Sequence, residues 1–204
     1  MSQDAEFARL IDLMPASGRM YTKLVQKSLQ ARAIETPFPL PWNRGMRRIS
    51  INYEFWRRLA QPQRDLLLLR AVCWLTQIRW FKPDLYQGAV AASAIAALVE
   101  LSQGDAIGVL VSGGLGAIAA AQIWRQNRSI QAELDADEAA VKVAQRRGYD
   151  PVEAAKHLLK GIEAAAAVEG RPKLSFAELM RCQNLRVRAN LSPIGVPDSV
   201  RDLA

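Results

Sequence analysis

The chain is nearly without histidine: one, His157, in 204 residues. That excludes any two-histidine metal site, and any Ser-His-Asp or Cys-His catalytic group would have to use His157. This residue sits in Ala154-Ala-Lys-His-Leu-Leu-Lys160, which reads as a helix after the turn at Asp150-Pro151, so a structural role is expected. Cysteine is almost as scarce. Cys73 and Cys182 form no CxxC pair, and Cys73, inside Val72-Cys-Trp-Leu75, reads as a small buried hydrophobe. A disulfide framework is therefore not expected, which fits a reducing compartment. The opening Met-Ser-Gln-Asp-Ala-Glu lacks a basic stretch followed by an apolar one. The expectation is a cytoplasmic chain, or one attached to the cytoplasmic face of a membrane. Ser112-Gly-Gly-Leu-Gly116 lacks the Lys-Ser/Thr of a phosphate loop and falls inside an apolar helical pattern, so close packing explains it better.

What is present is a folded chain, 50% apolar and 23% charged, with a net charge of +7. Helical spacing marks residues 4–13 and a second helix from about Arg19 to Arg32, with Tyr21, Leu24, Val25 and Leu29 on one face. Ala33 to Pro41 holds too many prolines for a helix and reads as an extended edge; Asn43-Arg-Gly45 reads as a turn and Arg48–Tyr53 as a strand, giving a small β-hairpin. A short helix at 54–59 precedes a longer one from Gln63 to about Phe81, apolar around most of its circumference and so expected at the centre of the core. Polar-to-amphipathic helices follow at 129–147, 152–168 and 176–186, and a loose tail closes the chain at 191–204.

Between them, segments 85–99 and 106–124 form an apolar helical hairpin, with small residues spaced by four: Gly88, Ala92 and Ala96, then Gly104, Gly108, Ser112, Gly116 and Ala120. That spacing lets two helices approach closely. Two readings stay open, a tightly packed soluble hairpin or insertion of 85–124 in a membrane. In the second, Arg79, Lys82, Arg125 and Arg128 at the outer ends, against Glu100 and Asp105 in the loop, put both termini in the cytoplasm.

The most informative stretch is Glu133-Leu-Asp-Ala-Asp137 followed by Gly148-Tyr-Asp-Pro151. In a helix Glu133 and Asp137 share a face. With the proline-rich Thr36-Pro-Phe-Pro-Leu-Pro41, the strand Ile49-Ser-Ile-Asn-Tyr53, the buried helix and the apolar hairpin before it, this order resembles the HtpX/Oma-type zinc metallopeptidases over about residues 20–190. The resemblance implies an α+β, mainly α-helical fold: a zincin (gluzincin) helical core with a small β-hairpin or short sheet, forming one domain over 1–190. It also implies that Glu133 stands where the family has its third zinc ligand and Asp137 where it has a supporting acid. The HExxH positions, however, read Arg70-Ala71-Val72-Cys73-Trp74. A permanent cation, an alanine and an indole replace two imidazoles and a general base, so the family's zinc chemistry is not available. The expectation is a degenerate metal site of Arg70, Ala71, Trp74, Glu133 and Asp137, with no metal and no cofactor. There an Arg70–Glu133 bridge replaces the zinc link and Trp74 fills volume. The alternative leaves Arg70 at the surface and Glu133 as a solvated helix-start charge. The same degenerate pattern resembles an uncharacterised family associated with cyanobacteria.

These readings imply a catalytically inactive peptidase-like protein that binds a protein partner as a scaffold, assembly or regulatory factor near a membrane, with no small-molecule substrate evident. One alternative is a basic peripheral protein binding anionic lipid through Arg44, Arg47, Arg48, Arg57 and Arg58, or through Arg181, Arg186 and Arg188. No nucleic-acid module is recognisable, and nucleic acid is not an expected partner. A third alternative is an enzyme of non-zinc chemistry using Cys73 or Asp137.

Overall fold

The computed structural model describes residues 3–40, 42, 45–78 and 85–194. The fold is mainly helical with a small three-stranded sheet, an α+β arrangement. Within the span expected as one domain, two compact units are distinguished: one from the segments on either side of the hairpin, the other the hairpin itself, 85–129.

In the first unit the described elements are α1 (Gln3–Leu13), α2 (Ala16–Tyr21), β1 (Thr22–Gln26), β2 (Ile34–Glu35), β3 (Arg47–Ile51), α3 (Tyr53–Trp56) and α4 (Gln61–Gln77), then α7 (Ile130–Gln145), α8 (Pro151–Val168) and α9 (Phe176–Arg188). α4 is the axis. Leu66, Leu67, Leu68, Leu69, Val72 and Leu75 are all buried, which takes in every side of the helix. A helix apolar all round must be covered all round. α7 and α8 pack on it, joined by α1, α2 and β3, while α9 closes against α7 and α8. Gly161 lets α8 come close: a Cβ there would lie 3.2 Å from Leu67 Cγ.

The helix ends follow their residues. Pro62 sits in the first turn of α4, where its missing N–H costs nothing, and Gln63 Oε1 accepts from Ala60 N at 2.9 Å. The Gly-Tyr-Asp-Pro turn divides its work. Gly148 takes φ +91°, Tyr149 donates its hydroxyl to Asp65 Oδ2 on α4 at 2.8 Å, and Asp150 caps α8 through the N–H groups of Val152 and Glu153.

The N-terminal part differs from expectation. The helix expected over 19–32 gives way to the end of α2 at Tyr21 and then to β1, and Leu29, expected on its inner face, is 97% exposed. Apolar residues at 21, 24, 25 and 29 suit either period, and pairing with β3 decides the matter. The expected antiparallel pair is there, between β2 and β3, but a third strand extends it into a sheet. β1 runs parallel to β3, with Leu24 beside Ile49, and β2 runs antiparallel to it, with Ile34 opposite Ile51, in the order β1-β3-β2. Residues 36–40 carry no regular element; Pro41, Asn43 and Arg44 of the expected turn, and the tail beyond 194, lie outside the described residues.

The second unit is α5 (Leu85–Gln103) and α6 (Ala106–Arg128), joined through Gly104 at φ +73° and capped by Asp105, which accepts from Ile107 N and Gly108 N. On α6 Gly108, Ser112 and Gly116 of the expected small stripe face its neighbour, while Ala120 is exposed. A Cβ on Gly116 would meet Ser93 Cβ at 3.1 Å, and Ser112 Oγ donates to Glu100 Oε2 at 2.7 Å. On α5 it does so only in part: Gly88 and Ala92 are exposed and Ala96 is half-buried, while the contacts with α6 come from Ser93 and Glu100. Both helices are long and apolar enough to cross a membrane, and their large side chains are outside: Ile95, Leu98, Ile107, Leu110 and Ile118 are each more than 60% exposed. At the outer ends, Arg79 and Lys82 lie outside the described residues.

Gly18 tests the packing of α2 on α4. A Cβ there would stand 2.5 Å from Val72 Cγ1 inside the core. Gly18→Ala should lower unfolding stability by about 1–3 kcal/mol, read by denaturant titration of the full chain in detergent.

Candidate functional site: a buried charge cluster beside an open strand edge

Three helices each contribute charge to one point. Arg70 and Trp74 lie one turn apart on α4, Glu133 and Asp137 one turn apart on α7, and Arg181 projects from α9. Arg70 Nη2 is ion-paired with Glu133 Oε2, and its Nε lies 3.6 Å from Asp137 Oδ1. Arg181 grips the fully buried Asp137 with both prongs, Nε to Oδ2 and Nη2 to Oδ1, each at 2.8 Å. Two cations and two anions balance, which is what lets them stay buried. Burial, then the neighbouring Arg181 cation, holds Arg70 below the usual guanidinium range, and Asp137 acts against both.

The residues singled out from the sequence come together here. Arg70 and Glu133 keep only 13% and 23% of their side-chain surface exposed, so neither Arg70 at the surface nor Glu133 as a solvated charge describes the geometry. Trp74 lies under the Arg70 guanidinium, 5.7 Å from ring centroid to Cζ, with Phe38 edge-on to it at 6.0 Å. Ala71 is buried at 3% exposure. Arg181 is the residue the sequence reading misplaced: expected on a basic surface, it is 7% exposed and committed to Asp137. The available signal was its place beside Cys182 and one turn before Leu185, the buried stripe of α9. Arg186 and Arg188 are at the surface, paired with Glu163 and Glu138.

The cluster forms part of the wall of a cleft of about 370 Å³. Ile34 and Thr36 line another side of it, with Trp74, Ile162, Ala165 and Ala177 supplying apolar surface. Glu169 fixes β2 in place by accepting from Ala33 N at 2.7 Å, while the Ala33 carbonyl accepts from Asn52 N. Backbone groups alternate sides along a strand, and with Ala33 O bonded to Asn52 N those of Ile34 turn away from β3. Among the described residues nothing bonds to that outer edge. At the far wall Arg171 joins Glu169 and Glu178, and Glu178 completes a capping box with Ser175 at the start of α9. Burial alone would raise the Glu178 pKa, but the Arg171 hydrogen bonds and the Ser175 N–H and hydroxyl hold it at about 2.

The donor set does not suit zinc. The Arg70 guanidinium and the Trp74 indole offer no lone pair, and the carboxylates left at the site are each engaged by an arginine. Among the described residues no group of three His, Cys, Asp or Glu could hold a metal ion. His157 sits on α8, edge-on to Tyr149 at 6.3 Å. Burial pushes the Cys73 and Cys182 thiols up to about 11, so little thiolate forms near neutrality.

Glu178 gives the site a pH signature. A carboxyl held at about 2 against an ordinary 4.5 stabilises the fold above pH 4.5, and that contribution is lost as the pH falls toward 2. Wild type should therefore lose about 1–2 kcal/mol more than Glu178→Gln across that interval, after allowance for solvent screening. Parallel acid-unfolding curves for the two proteins would contradict this.

Residues 8–149 match a family model described as a protein of unknown function, DUF3318. No curated protein matches the chain, and no solved structure does. The matched span begins within α1 and runs to Tyr149, so it holds Arg70, Trp74, Glu133 and Asp137 and ends before Arg181. It covers well over half of the sequence, and the chain belongs to the DUF3318 family of proteins of unknown function.

Proposed function

We propose that this is a catalytically inactive, metallopeptidase-like protein that holds an extended segment of a protein partner along the outer edge of β2, anchored in a membrane by its α5–α6 hairpin. The observation that carries the reading is the unpaired β2 edge opening into a cleft beside the Arg70–Glu133 ion pair, at the positions where the resemblance puts zinc. An extended chain laid along such an edge gains main-chain hydrogen bonds from Ile34 and Thr36, and its alternate side chains reach Trp74, Ile162 and Ala177. No activated water is needed for that.

The anchor is supported by dimensions and exposure. At 19 and 23 residues, α5 and α6 are about 29 and 35 Å long, against a hydrocarbon layer of about 30 Å. Their exposed leucine, isoleucine and valine side chains would be costly in water and are suited to lipid. Glu100 and Asp105 mark the loop end, and Arg125 and Arg128 the other, a charge bias that supports a cytoplasmic location for the first unit. Glu100 bonded to Ser112 and Asp105 capping α6 both lie within reach of the interface.

A photo-crosslinking residue at Thr36 in the native host tests the cleft. One partner should be captured through a single short stretch of its sequence, and capture should fall at least tenfold when Ile34→Pro removes the edge N–H. Crosslinks scattered over unrelated proteins, or capture indifferent to Ile34→Pro, would contradict the proposal.

A further inference from the structure

A second groove, of about 660 Å³, runs along β1 and β3 and the 37–39 segment. Lys23, Arg47 and Arg48 line it together with Val25, Phe38 and Met46, and none of its lining residues is acidic. The parallel register sets Lys23 directly beside Arg48, so two like charges stand on neighbouring strands, about 5 Å apart at the backbone. Elsewhere in this unit the buried and half-buried arginines are answered, Arg9, Arg64, Arg70, Arg171 and Arg181 each meeting a carboxylate, while exposed cations such as Arg57 and Arg58 are left to solvent. Among the described residues, Lys23, Arg47 and Arg48 do not. Arg47 is half-buried with only a carbonyl to donate to, Ile78 O at 2.9 Å, and burial without a counter-charge pulls its pKa below the ordinary guanidinium value.

Two further features say what would answer that charge. Met46, 55% exposed, and Phe38 stand in the groove wall, an apolar thioether chain and an aromatic ring among the cations. That mixture is typical of a surface resting at the headgroup level of a membrane. The carbonyl that Arg47 holds belongs to the residue where the chain leaves this unit, and α5 begins seven residues later, at Leu85. Seven residues span at most about 25 Å, so the connection to a membrane-inserted hairpin would be short.

We infer that the Lys23–Arg47–Arg48 groove binds the phosphate headgroup of an anionic phospholipid, drawn from the bilayer that holds the hairpin. The inference rests on the membrane-anchor reading. Lipid binding here would hold the first unit against the membrane.

The test uses the full chain in neutral detergent micelles, titrated with dioctanoyl phosphatidylglycerol, dioctanoyl phosphatidylcholine or inorganic phosphate and read by native mass spectrometry. Phosphatidylglycerol should bind at least about tenfold more tightly than either of the others. Lys23→Gln with Arg48→Gln, both at exposed positions, should remove about tenfold or more of that affinity, while Arg57→Gln with Arg58→Gln, the same charge loss elsewhere, should not. Equal binding of the two lipids, equal loss in both double variants, or inorganic phosphate matching phosphatidylglycerol would each overturn the groove. Partition of the full chain into phosphatidylcholine vesicles reports on the hairpin alone. A chain that stays out of them overturns the anchor and this inference with it; one that enters them yet shows no lipid preference overturns the groove only.

Discussion

The arrangement of the helical unit depends on one buried exchange of charge, in which Arg70 of α4 and Arg181 of α9 share the carboxylates of Glu133 and Asp137 on α7. Apolar packing around α4 would tolerate small rotations of its neighbours. A fully buried Asp137 tolerates none, because turning it from Arg181 leaves a charge with no water to receive it, a loss of about 3–5 kcal/mol. The cluster therefore fixes the relative rotation of α4, α7 and α9, and with it the cleft that those helices and β2 enclose. A metal ion bridging two helices does the same job by coordination. Here salt bridging does it, with Trp74 and Phe38 covering one side.

Much of this was legible in the sequence where the physics is local. The all-round apolar run of α4, the proline-marked starts of α4 and α8, and the one-turn spacing of Glu133 and Asp137 depend on neighbours in the chain. The Arg70–Glu133 meeting was also readable, through the resemblance, since it joins two positions whose roles the motif fixes. What escaped depended on distant partners. Thr22–Gln26 is a strand because β3 lies beside it, and nothing within those five residues says so. Arg181 resembles any other arginine on an amphipathic helix until Asp137 is placed opposite. The contact face of α5 escaped for a similar reason, since alanine and glycine occur around its whole circumference and small-residue spacing selects no single side.

The two proposed surfaces use opposite strategies. In the cleft, charges are satisfied within the protein and what remains unmet is a run of main-chain hydrogen-bonding groups, which suits a peptide. Along β1 and β3 the strands pair with each other while the charge goes unanswered, which suits an anion. One short sheet thus offers both faces of its chemistry, a free edge on β2 and uncompensated cations near β1. Holding a partner's extended segment while resting against lipid would use both of these surfaces at once.

The central claim is that Arg70 and Glu133 form a true structural link between α4 and α7. It is tested most directly by a double-mutant cycle of Arg70→Met and Glu133→Leu, with unfolding free energies measured by denaturant titration of the full chain in detergent. The account predicts that each single substitution costs more than the pair together suggests, with a coupling energy above about 1.5 kcal/mol. Additive effects, with coupling within about 0.3–0.5 kcal/mol of zero, would show the two side chains to be neighbours without a structural bond and would contradict it.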